Sequence, residues 1–440
     1  MKLATCFIAT TALCAAPALA ADLPHVAEPV NYVKVCDAYG AGYFQVPGKD
    51  TCLKIGSRIR AQIVSGNMMD NDNIGDYDGD EADEYTYYTR GYLYLDSMTS
   101  TEWGMIATKV TMLYEWNEAS EDEAKFDDTY IQFSNNNFSV LVGRKLSLFD
   151  GFIGYTPQGV VTRNFSEAYL QQANITLDFG SGVTVGMGVE DSEERGGPED
   201  SIDFAGFAKF EQGWGSLRLA GGLHSIHDDD YEISEEPEIS IGDIKDYITS
   251  GSGFKFEESD DFGFGVNATL EFNVPISEHE TKLAFQATYM DGALSYLGGD
   301  GAFTDGLDTD AIGEIGLLFD NSVLDHFGFS GFALNAGLSH GLTETVTFSI
   351  DGSYAMIEGD MSGTYDDAGS TVSAGIDAEA NRFAVDAGLA WEPAAGFVWS
   401  VSGGYSTVEL EATEKDGPVS TTQKHDFDNF RIGSRIQYTF

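Results

Sequence analysis

The sequence predicts an all-β chain closed into a sixteen-stranded antiparallel transmembrane β-barrel. Three observations lead there. Segments of period-two alternation recur from about residue 52 to the last residue. Tight turns alternate with longer, mostly acidic connections, as in an up-and-down meander whose two ends meet different surroundings. No apolar run beyond residue 20 is long enough to cross a bilayer as a helix.

Taken in order, the strands are expected near 52–65, 85–96, 103–116, 126–133, 138–145, 171–179, 183–190, 200–210, 216–226, 261–274, 281–290, 329–339, 345–357, 380–391, 397–411 and 427–440. "SMTSTE", "SNNN", "GSG", "EQGWG", "PISEHE", "HGLTE" and "EPAAG" read as tight turns. Between them come 66–84, "NEASEDEA", 146–170, "DSEERGGPE", 227–260, 291–328, 358–379 and 412–426, read as the long connections.

The strand faces identify the solvent on each side. Ile106, Val110, Met112, Tyr114 and Trp116 share one parity with Thr108, whereas Lys109, Thr111 and Glu115 share the other. Phe383, Val385, Leu389 and Trp391 are likewise set against Arg382 and Asp386. A sheet of sixteen strands closing around an apolar interior would need that space filled, and no helices or second layer are available to fill it. The apolar face is therefore turned to lipid and the polar face to a lumen wide enough for water. Closure also satisfies every backbone group in hydrocarbon. Tyr92, Tyr94, Tyr114, Trp116, Trp391, Trp399, Tyr438 and Phe440 fall near strand ends, where interfacial girdles are expected.

Ahead of the strands, Lys2 and the uncharged run "LATCFIATTALCAAPALA" read as a secretory signal peptide over 1–20, cleaved after Ala20. A retained anchor fits less well, because the apolar run is broken at Pro17. Residues 21–50 form a segment before the barrel proper, 51–440. Cys6 and Cys14 leave with the signal peptide, so Cys36 and Cys52 remain as an even pair in an oxidising compartment. A disulfide is the expected state; a two-cysteine metal site is the rival, and no histidine lies between the two cysteines to complete it.

With 72 acids against 23 bases the formal charge is -49, which argues against nucleic acid as a partner, because a surface that binds its phosphate backbone must be basic. The 12% aromatic and 42% hydrophobic content argues against disorder despite that charge.

The stretch "VNYVKVCDAYGAGYFQVPGKDTCLKIGSRIR" resembles the mature N-termini of alphaproteobacterial outer-membrane porins, with the match running through Cys36–Gly42, Phe44, Pro47, Gly48 and Cys52–Gly56. It thins to "DTYIQF", "GRKLSLFD" and the terminal Phe440, and departs at Ser57, where a second glycine is common in the family. The resemblance implies trimers of sixteen-stranded barrels that pass small hydrophilic solutes across the outer membrane of a Gram-negative bacterium. It also implies a third long loop folded into each lumen as a constriction. Phe440 resembles the C-terminal aromatic signal by which the barrel-assembly machinery recognises such proteins.

On that reading no covalent chemistry and no cofactor are expected, and function lies in the lumenal field. Parity assigns Lys54, Arg58, Arg60, Arg90, Lys109, Arg382, Arg431 and Arg435 to the inner wall, mostly in one patch because the first and last strands become neighbours on closure. The loop near 146–170 carries Asp150, Arg163 and Glu167, and its acids facing the basic wall would set up a transverse field. Acidic mouths and a basic wall pull selectivity in opposite directions, and weak cation preference is the expectation.

"DNDNIGDYDGDE" does not complete an EF-hand: Asp76, Asp78 and Asp80 are spaced for one, but Glu81 stands where glycine is needed and Tyr87 where glutamate is needed. Looser divalent-cation binding there, bridging to anionic lipopolysaccharide, stands beside a solvated acidic loop that enriches cations at the mouth. A sugar- or anion-specific channel and a receptor or adhesin barrel are the alternative functions. An outer-membrane enzyme is disfavoured, because none of the seven histidines shows a nucleophile and an orienting acid on a facing strand.

Overall fold

A computed structural model describes residues 34–69, 85–117, 123–161, 163–198, 200–226, 255–256, 262–276, 278–298, 328–367, 370–416 and 419–440. The signal-peptide region and the Asp76, Asp78 and Asp80 stretch lie outside the described residues.

Among the described residues, sixteen long strands run in sequence order. They are β1 Thr51–Ser65, β2 Tyr85–Ser100, β3 Met105–Asn117, β4 Glu123–Asn135, β5 Phe138–Leu146, β6 Tyr169–Gly180, β7 Val183–Asp191 and β8 Ile202–Gln212. Then follow β9 Gly215–Ser225, β10 Phe262–Asn273, β11 Thr281–Asp291, β12 Ser330–Gly341, β13 Val346–Asp367, β14 Ser370–Ala394, β15 Phe397–Asp416 and β16 Val419–Thr439. Each pairs antiparallel with its neighbour, and β16 returns to β1 through Gly433↔Val64, Arg435↔Gln62, Gln437↔Arg60 and Thr439↔Arg58. The barrel is closed, and each expected segment has its counterpart in the expected order.

Local chemistry sets the turns. At Ser181-Gly182 both residues have positive φ, 55° and 81°, the backbone sense that matches the twist of a two-residue hairpin. Ahead of β1, Cys36 and Cys52 form a disulfide with Cα atoms 6.2 Å apart. It fastens residues 36–52 to the first strand, where Phe44–Gln45 pairs with Leu53–Cys52.

The faces invert the soluble rule. On β1, Ile55, Ile59 and Ile63 point outward at 54%, 49% and 47% exposure, while Val64 and Cys52 are buried. Leu219, Leu223, Phe285, Leu334 and Leu389 continue the band. So wide an exposed apolar belt is a lipid-facing surface. At the short-turn end, Trp214 packs 5.7 Å from Phe272, Trp391 6.3 Å from Trp399 and Tyr438 5.5 Å from Phe440, an aromatic girdle. Tyr87 and Trp116, 5.3 Å apart, stand toward the other end. Tyr92 and Tyr94 do not join them: Tyr92 is buried, and both rings face inward beneath arginines.

Two of the expected long connections are strand instead. Residues 358–367 and 370–379 continue β13 and β14, and 412–416 and 419–426 continue β15 and β16. Here the pattern flips: Glu358 and Asp360 face out, while Ile357, Ile376, Val408 and Leu410 face in and are buried against Leu294, Tyr296, Leu297 and Phe329. Acid outside and apolar inside is the pattern of a strand that has left the membrane, so acidity alone misread these segments as loop.

Candidate functional site

The connection between β5 and β6 enters the barrel and follows its inner wall. Arg218 of β9 donates to the Phe149 carbonyl at 2.9 Å and also to that of Leu148. The Phe152 amide donates to Gln286 of β11 at 2.8 Å. The Tyr155 and Thr156 amides donate to Asp351 of β13 at 2.8 and 2.6 Å, Val160 to Asp386 of β14 at 2.7 Å, and the Gln158 side-chain amide to the Ser400 carbonyl of β15 at 3.0 Å. Arg435 of β16 donates to the carbonyl of Pro157, and to that of Gln158 at 3.4 Å. The outbound limb thus tracks the wall from β9 to β16, and Gly154 allows it: at φ 99°, an added Cβ would sit 2.6 Å from Arg163 Nη1 and 2.9 Å from Asp351 Oδ2.

Among these anchors none comes from β1–β4, so the aperture is bordered by that wall. There the structure brings together Arg58, Arg60 and Arg90 over one ring: their guanidinium carbons lie 5.3, 5.5 and 5.9 Å from the centroid of Tyr92. Arg90 ion-pairs with Glu115, and Lys109 with Asp128 at 2.7 Å. Lys54 lies 5.8 Å from the Tyr43 ring. Across the seam, Arg435 Nε donates to Gln62 at 2.6 Å, and Arg431 shares its inward parity four residues earlier. Arg382 is apart from this group, at 1% exposure on β14.

The loop charges are arranged differently from the sequence expectation. Asp150 does not face the basic wall: its side chain is 0% exposed and meets Arg195 at 3.1 Å, with Ser166 and the Ala168 amide also donating to it. Arg163 is spent on Asp351 at 2.6 Å. Of the three, Glu167 is the exposed one, on the return limb of the loop. Desolvation there, with Asp150 nearby, raises its carboxyl above the ordinary range, and Arg163 pulls the other way.

A family model described as porin subfamily matches residues 22–440. The chain belongs to the porin subfamily. Outer membrane protein IIIA of Rhizobium leguminosarum bv. viciae is 33% identical over 41% of this chain and 45% of that one. Porin Omp2b of Brucella suis is 26% identical over 49% of this chain and 62% of that one. The chain therefore spans less than two thirds of the length of these curated relatives. A solved structure of Pseudomonas putida OprB at high pH is 12% identical, with TM-score 0.49 over 88% of this chain and 94% of that one. The porin is a multi-pass β-barrel of a Gram-negative outer membrane.

Several of the porin's lumenal residues escape a reading of sequence pattern. Asp351 stands alone among small and apolar residues at an inward mid-strand position, "SIDGSY", and that isolation is its only signal; Asp386 is placed inward by parity, but parity does not show that it accepts from the Val160 amide of the loop. Arg195 sits in a connection that reads as generic polar loop, yet it is 3% exposed, 4.4 Å over the Tyr296 ring. Glu190 accepts from Ser147 and from the Leu148 amide, both at 2.7 Å. One histidine has an acid on a facing strand, His224 Nδ1 lying 2.8 Å from Asp203. Both side chains are sealed at 1% and 0% exposure, which fits a packing role.

Proposed function

We propose that this porin is a passive diffusion channel for small hydrophilic solutes and ions and carries out no covalent chemistry. One observation carries the reading: a closed barrel with an outward apolar belt holds an inward loop pinned along β9–β16, leaving the polar wall of β1–β4 to border the opening. The functional side chains are then the arginines of β1, β2 and β16 on one side and Glu167 on the other. Their separation sets a transverse field that orients water and polar solutes and disfavours apolar ones. A homotrimer in contact with lipopolysaccharide, delivered by the barrel-assembly machinery through Phe440, accompanies this reading.

The protein reconstituted in liposomes is expected to let small neutral sugars in, read as swelling, and in planar bilayers to conduct in discrete ohmic steps. Absence of both overturns the channel.

Glu167 supplies a pH dependence. Because its carboxyl is raised, it gains a proton on acidification before carboxylates of ordinary pKa do, and the aperture loses a negative charge. Reversal potentials in a salt gradient should therefore move toward anions in the upper part of an acid titration, and Glu167→Gln should remove that part. Superimposable titrations of the two proteins would show that Glu167 does not face the permeating ions.

A further inference from the structure

Resting on the channel reading, we propose that Arg58 and Arg60 form an oxyanion-binding subsite in the lumen, suited to phosphate and to di- and tricarboxylates. In a chain whose acids exceed its bases by 49, every guanidinium could be neutralised cheaply, and Arg90 and Arg163 are. Arg58 and Arg60 are not: among the described residues neither has a carboxylate partner.

What holds them is neutral and engages one atom each. Arg58 Nε donates to Thr439 Oγ1 at 3.2 Å and Arg60 Nε to Gln437 Oε1 at 3.3 Å. Both planes also lie against Tyr92, Arg58 at 5.3 Å and Arg60 at 5.5 Å. The side chains are thereby oriented while their terminal Nη pairs have no protein acceptor among the described residues. A guanidinium fixed at Nε and open at its fork is the arrangement that takes two oxygens of one carboxylate or phosphate. Residues two apart on a strand are about 6.6 Å apart, so two forks on one face suit a ligand with two anionic groups, or one phosphate between them.

The wall keeps this geometry at a cost. Arg60 stands directly opposite Arg90 in the β1–β2 register, a like-charge pair that opposes pairing of the strands. Arg435 and Arg431 add positive charge across the seam. Arg435 is tied through its own Nη atoms to the loop carbonyls of Pro157 and Gln158, so it supplies field rather than a free fork.

The test uses the full-length porin in planar bilayers at 1 M KCl, where the Debye length of about 3 Å screens diffuse charge and leaves short-range binding. Millimolar potassium citrate or inorganic phosphate is expected to produce brief blocking events, whereas acetate at equal concentration blocks far less. Arg58→Gln with Arg60→Gln should raise the half-blocking citrate concentration at least about tenfold, the loss of one charge-assisted fork being enough for that. Arg58→Lys with Arg60→Lys, which keeps the charge and removes the fork, should keep the reversal potential yet lose most of the block. Lys209→Gln, neutralising a cation already paired with Glu211 at 2.5 Å, should leave the block unchanged. Discrete KCl conductance certifies that each variant is folded. Conduction by the unmodified porin without citrate or phosphate block, or equal block in the glutamine variant, overturns the subsite; a protein that inserts and carries no current overturns the channel reading instead.

Discussion

Asp351→Ala is expected to release the middle of the constriction loop, raising single-channel conductance and open-channel noise together. The carboxylate is fully buried and accepts from three donors of the loop: the Tyr155 amide at 2.8 Å, the Thr156 amide at 2.6 Å and Arg163 Nη1 at 2.6 Å. Arg163 is only 13% exposed, so removing its partner strands a charge away from bulk water. Breaking a buried pair in this way costs about 3–5 kcal/mol, and each buried amide left without an acceptor adds about 1–3 kcal/mol. The other fastenings of this stretch are hydrogen bonds to Gln286, to Asp386, to the Ser400 carbonyl and hydroxyl, and from Arg435 to the Pro157 and Gln158 carbonyls, each worth about 0.5–3 kcal/mol net and none of them a buried ion pair. The Asp351 cluster is thus the strongest point of attachment between residues 152 and 163, and without it the loop can leave the wall. Asp351→Asn keeps one acceptor oxygen and should give an intermediate noise level. Conductance and noise equal to those of the unmodified protein in Asp351→Ala would mean that the loop is held elsewhere.

The fold was legible because its rules are local. Alternation places Ile55, Ile59 and Ile63 on one face of β1 whatever the rest of the chain does, and turn residues such as Ser181-Gly182 fix where the strand reverses. Closure then follows from having no tolerable edge in hydrocarbon. What parity could not give was the partner of each inward charge. Lys54, Arg58, Arg60, Arg90, Arg431 and Arg435 do gather near the seam, because strand neighbours are fixed by closure. Arg382 shares the same parity and lies elsewhere, since parity says nothing of height along the barrel or of what a loop covers. Asp150 and Arg163 show the same limit more sharply. Their partners, Arg195 and Asp351, lie 45 and 188 residues away in sequence, and only the folded path of the loop brings them together. Tyr92 and Tyr94 fall near a strand end, where girdle aromatics are expected, whereas their inward parity, shared with Arg90, marks them as lumenal. The extensions of β13–β16 do not carry the apolar-out alternation of a lipid-facing strand, because beyond the lipid the same alternation has the opposite sign.

Arg195→Ala should destabilise the barrel by about 3–5 kcal/mol, the cost of breaking a fully buried ion pair, read as a lower urea midpoint for unfolding from lipid vesicles. The guanidinium spans three elements: it meets Asp150 of the constriction loop at 3.1 Å, donates to Ser166 at 3.1 Å on the loop's return limb, and reaches the Ser295 carbonyl at 3.3 Å. Its removal leaves Asp150 buried, with only Ser166 and the Ala168 amide to satisfy it. A buried pair is a poor source of net stability but a severe loss when halved, so the partner's charge decides the outcome. Arg195→Met combined with Asp150→Asn should therefore recover a large part of the loss. The methionine packs on Tyr296, over which Arg195 now lies at 4.4 Å, and the asparagine oxygen still accepts from the Ala168 amide. The coupling energy in that double-mutant cycle is expected at about 2–3 kcal/mol. Additive losses would place the cost in packing around Tyr296 alone, and would mean that the charge of Asp150 does not fasten the root of the loop.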